Sequence, residues 1–152
     1  VMFLRLNMFE KHNKYTKSTY WLLAINSLIG VCFLGLLILN LAGGKSALEY
    51  VFFVVLVAML FLNGFCAYKI YKRSYIALKL SFWLFLLQVF GFSTSSWAFS
   101  LNVGMSFYIS FKLDSVELSV NLIAVLIVTI ISAAIRSIKK LMQSSDESLV
   151  GA

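Results

Sequence analysis

The chain has 152 residues, 61% of them hydrophobic and 12% charged, with a mean hydropathy of +0.92. Soluble domains carry roughly 25% charged residues, so this composition argues against a water-soluble globule and for one domain embedded in a bilayer. A formal net charge of +7 would suit a nucleic-acid binder, but the placement of the charges points elsewhere.

The chain opens with Arg5, Lys11, Lys14 and Lys17 ahead of a long apolar run at 20–42. A spanning helix needs about 20 such residues, so this run reads as the first crossing and as an uncleaved insertion signal. Met8 offers an alternative start. Gly43-Gly44-Lys45-Ser46 reads as a tight outer turn, and the second apolar run follows at 48–68. Lys69, Lys72 and Arg73 mark an inner loop, and Lys79 lies just inside the third run at 75–92. A fourth begins at 118 and extends to about 138, followed by Arg136, Lys139 and Lys140 at its end. Only Lys45 and Lys112 lie in the other two connections. Such alternation is the signature of the positive-inside rule, and it predicts a multi-pass protein of the cell membrane with both termini cytoplasmic. The Phe-, Ile-, Lys- and Ser-rich usage suits a bacterial inner membrane.

Residues 96–113, between the third and fourth runs, stand apart. Every odd position from Trp97 to Leu113 is large and apolar, and every even position from Ser96 to Lys112 is small or polar except Tyr108. Period two is a strand signal. A single strand of this length would reach about 56 Å, so a reversal is expected. Within this stretch a three-residue loop at Asn102-Val103-Gly104 keeps parity, with glycine in the left-handed position. That register pairs Leu101 with Met105, Phe99 with Phe107, Trp97 with Ile109 and Ser100 with Ser106. Its apolar face, Trp97, Phe99, Leu101, Met105, Phe107, Ile109 and Phe111, needs a cover. The chain's own helices or the outer lipid interface would serve, and so would another copy or a partner protein.

The fold class expected is therefore all-α: a four-transmembrane-helix bundle in one domain, 1–142, with an extracytoplasmic β-hairpin and a disordered tail at 143–152. Polar residues inside the runs, Asn26, Asn40, Asn63 and Gln88 among them, read first as links between helices and second as the lining of a pore. No carboxylate lies at membrane depth for coupled transport. Asp114 and Glu117 read as acids capping the fourth helix. The single histidine, His12, and two separated cysteines, Cys32 and Cys66, form neither a metal set nor a nucleophile–base pair, so no cofactor is expected. The predicted function is non-enzymatic: an accessory, assembly or immunity-type factor acting by protein–protein contact in the bilayer. The alternative is a homo-oligomeric pore or small-solute channel. No nucleic-acid partner is expected.

Overall fold

A computed structural model describes residues 9, 11–41, 47–94, 98–100 and 104–150. Three helices, four strands and a last helix follow one another along the described chain: α1 (Lys14–Leu41), α2 (Ala47–Tyr71), α3 (Tyr75–Leu87), β1 (Phe90–Thr94), β2 (Ala98–Ser100), β3 (Tyr108–Leu113), β4 (Val116–Asn121) and α4 (Leu122–Val150). The expected turn at 43–46 lies outside the described residues.

Three helices are long and apolar enough to cross a membrane, over Lys14–Ile38, Tyr50–Tyr71 and Leu122–Gln143. The third expected span is corrected. α3 has 13 residues, about 20 Å at 1.5 Å per residue, short of the roughly 30 Å hydrocarbon core. Gln88 caps it, and Gly91 and the serine-rich run after it favour leaving the helix. The backbone of 143–150, expected as a disordered tail, continues α4 instead. Neither glycine nor proline occurs between Met105 and Val150, and extending an existing helix is far easier than nucleating one.

Where all four helices run together they enclose one core. Leu23 of α1, Ile70 of α2, Leu78 of α3, and Ile127, Ile131 and Ile138 of α4 are fully buried. Polar contacts hold this end, which carries most of the basic residues. Asn13 caps α1, its Oδ1 accepting from the Thr16 amide at 2.8 Å while Thr16 Oγ1 accepts from the Asn13 amide at 2.9 Å. Asn13 Nδ2 also donates to Ser137 Oγ of α4 at 2.9 Å. The Phe9 amide donates to the Arg73 carbonyl at 3.0 Å, in a turn where Arg73 adopts φ 65°. His12 lies among Phe9, Tyr20 and Tyr71, with Nε2 3.1 Å from the Tyr71 carbonyl oxygen. The N-terminus of α1, the α2–α3 turn and Ser137 of α4 thus meet at one end.

Beyond Gly30 on α1, and before Leu60 on α2, no described side chain of either helix is buried. Val31, Phe33, Leu36, Val51, Phe52 and Val54 are all exposed. Both helices are apolar around their whole circumference there, the pattern of a helix surrounded by hydrocarbon.

Candidate interaction surface

The sheet begins where α3 stops and ends where α4 starts. Its order is β2-β1-β4-β3, antiparallel throughout. Each described strand alternates large apolar with small or polar residues, which suits a sheet having one apolar side. The registers align these alternations. Phe90 and Phe92 lie opposite Val120 and Leu118, while Ile109, Phe111 and Leu113 lie opposite Val120, Leu118 and Val116. Directly opposed residues share a face, so these eight form a single apolar surface. Gly91, Ser93, Ser110, Lys112, Glu117 and Ser119 occupy the other face, with Lys112 opposite Glu117.

This register corrects the hairpin expected at 96–113. Strands do form at 98–100 and 108–113, but they do not pair with each other. Phe99 pairs with Phe92 rather than Phe107, Ile109 pairs with Val120 rather than Trp97, and Ser100 pairs with Gly91 rather than Ser106. The reason is a change of phase. Apolar residues are odd-numbered up to Leu113 and even-numbered from Val116 onward. A two-residue turn at Asp114-Ser115 therefore preserves one apolar face, with Asp114 in the left-handed region at φ 48°. β1 carries the even phase too. Asp114 and Glu117 are thus a turn and a strand residue, not a helix cap.

The cap of α4 belongs to Asn121. Its Oδ1 accepts from the amides of Ile123 at 3.2 Å and Ala124 at 3.3 Å, and also from Phe107 at 3.3 Å. Residues 104–107 lie on the connection from β2 at one sheet edge to β3 at the other, and they run against the helices. The Met105 amide donates to Asn26 Oδ1 of α1 at 2.8 Å, and the Leu122 amide donates to the Phe107 carbonyl at 2.8 Å. Gly104 has φ +93°, and a Cβ there would lie 2.4 Å from Asn26 Oδ1, so only glycine passes this point. Glycine was expected in the left-handed conformation here; its cause is the approach to α1 rather than a hairpin loop.

Of the expected contact residues, Ile109 and Phe111 stand on the apolar face, Phe107 is exposed in the connection and Met105 is half-buried there. Phe99 is a β2 residue, and Trp97 and Leu101 lie outside the described residues. Phe90, Leu113 and Leu118 join the surface, at 64%, 62% and 45% exposure. The signal for Phe90 and Leu118 was present in the alternation of 90–94 and 116–121, which apolar runs at 75–92 and 118–138 had absorbed, while Leu113 closes the alternation of 96–113 itself.

The expected pore-lining residues lie in different surroundings. Asn26 holds the Met105 amide, and Gln88 Nε2 donates to the Leu84 carbonyl at 3.2 Å. Asn63 is buried in α2 with neither side-chain polar atom partnered, as is the Ser27 hydroxyl on α1. Asn40 lies near the end of α1, and its side chain is outside those described. Cys32 is exposed and Cys66 buried, both free. Among the described residues no three metal-ligating side chains gather. No known protein family, curated protein or solved structure matches this chain.

Proposed function

We propose that this chain is a multi-pass membrane protein with cytoplasmic termini that acts without catalysis, by protein–protein contact through its apolar sheet face. The observation that carries the reading is the contiguous surface of Phe90, Ile109, Phe111, Leu113 and Leu118, all exposed on a sheet continuous with α3 and α4. Burying one such side chain contributes roughly 1.5–3 kcal/mol, so five supply enough to hold a partner. Lipid alone is a poor cover for a sheet. Among the described residues β2 and β3 each have a strand neighbour on one side only, and an open strand edge in hydrocarbon leaves backbone groups unsatisfied at several kcal/mol each. A protein surface, from a second copy or from another membrane or extracytoplasmic protein, covers the face and the edge together. The third crossing is completed by β1, which adds about 16 Å at 3.3 Å per residue to the 20 Å of α3.

Two measurements test this reading. Reporter fusions at 45 and 112 report outside, and those at 72 and 145 inside; reversal at any two sites contradicts the topology. In mild detergent, the wild-type complex is heavier than the 17.1 kDa chain. The Phe111→Ser/Leu113→Ser variant falls to monomer mass with its helicity intact. Unchanged complex mass in that variant removes the sheet face as the contact surface.

A further inference from the structure

A second feature lies between the exposed halves of α1 and α2. α3 ends at Leu87 and α4 begins at Leu122, so past that level the two long helices lose their helical neighbours. The connection through Met105, held by Asn26, fills only part of the gap. What remains is a cavity of about 500 Å³, within the range that accepts one small molecule.

Its walls run along the helices. Gly30, Leu34 and Leu37 are one stripe of α1, and Leu56 and Leu60 are one stripe of α2. From Gly30 to Leu37 the cavity follows α1 for about 10 Å, beginning about 24 Å from Lys14 at 1.5 Å per residue. Gly30 closes its lower end, because α2 comes so near that a Cβ there would lie 2.6 Å from Leu60 Cδ1. Among the described residues no charged side chain lines it, and one hydroxyl, Ser106, is the sole side-chain polar group on its wall.

We propose that this groove binds a single acyl chain of an outer-leaflet lipid. The inference rests on the membrane reading above but not on the sheet contact. Water is scarce at this depth, and an empty apolar groove forfeits dispersion contacts along its whole lining. Hydrocarbon must therefore fill it. The groove lies parallel to the helix axes, the direction in which acyl chains themselves run in a bilayer. A second copy would have to insert a side chain sideways past Phe33 and Leu37 of the rim.

The test uses the full chain in phosphatidylcholine vesicles whose lipid carries a photoactivatable diazirine midway along one acyl chain, with adducts mapped by mass spectrometry. Met105 and Leu56, inside the groove, are labelled at least threefold more than Val54, which faces outward on the same stretch of α2. Leu34→Trp, and separately Leu37→Trp, fill the groove and bring its labelling down to the Val54 level. Labelling at Val54 and helicity are unchanged. Equal labelling of groove and Val54 in the wild type overturns the proposal while leaving the membrane reading intact. So does a cross-link to a second copy from a photoreactive amino acid placed at Met105. Absence of labelling at every position, Val54 included, overturns both.

Discussion

Around Leu23, Ile70, Leu78 and Ile131 four helices enclose one core, whereas past Gly30 on α1 and before Leu60 on α2 every described side chain of those helices is at least partly exposed. The two halves differ in what surrounds their apolar side chains. In the basic half each helix packs against two of the others around a shared core, and hydrogen bonds from Asn13 and Phe9 lock the end. In the far half two helices stand beside a small sheet with its apolar side outward. The first half is complete as a fold. The second leaves large apolar side chains exposed on the helices and on the sheet, and the proposed contact lies there.

The comparison breaks most visibly under truncation of apolar side chains. Ile131→Ala removes a fully buried side chain and should destabilise by about 2–5 kcal/mol, through lost packing and the cavity left behind. Val54→Ala, on the uncovered part of α2, should change stability by no more than about 0.5 kcal/mol. Chemical or thermal unfolding in detergent measures both. Equal losses would mean that the far half is covered by the chain itself.

A smaller effect is expected where the halves join. Asn121→Ala withdraws an acceptor shared by three amides, which should weaken the protein by about 1–3 kcal/mol. Hydrogen exchange should rise at Phe107, Ile123 and Ala124 and stay unchanged at the α1 cap. A stability change without local exchange would place Asn121 outside the junction.

Much of this arrangement was legible in the sequence. The runs at 20–42 and 48–68 mark α1 and α2 because long apolar segments with basic flanks have few alternatives. The strand character of 98–100 and 108–113 followed from period-two alternation. What escaped was non-local. β1 and β4 alternate as cleanly, Phe90-Gly91-Phe92 and Val116-Glu117-Leu118, but hydropathy averaged over about 19 residues merges five or six strand residues into the adjoining helix. Their pairing then depended on a phase change at Asp114-Ser115 that no single stretch reveals. Of the proposed contact surface, Ile109 and Phe111 were named from the sequence, Phe90 and Leu118 were missed for this reason, and Leu113, in phase with Phe111, was left out at the end of its stretch. The end of α3 had a subtler signal, a lone Gly91 three residues past the Gln88 cap.

The register itself can be checked with little perturbation of stability. In a background lacking Cys32 and Cys66, Ser110→Cys with Ser119→Cys should form a disulfide, since the two are directly opposed in β3 and β4 and such pairs have Cβ atoms about 5 Å apart. Ser100→Cys with Ser106→Cys, the pair a 97–113 hairpin requires, should remain reduced. Oxidation of the second pair alone would restore that hairpin.

The central claim is that protein covers the apolar side of the sheet. A photo-cross-linking amino acid at Phe111, on that side, and at Ser110, on the opposite one, addresses it in native membranes. The prediction is a discrete protein adduct from position 111, from a second copy or a partner, and little or none from position 110. Only lipid adducts from 111, or equal protein adducts from both positions, would contradict it.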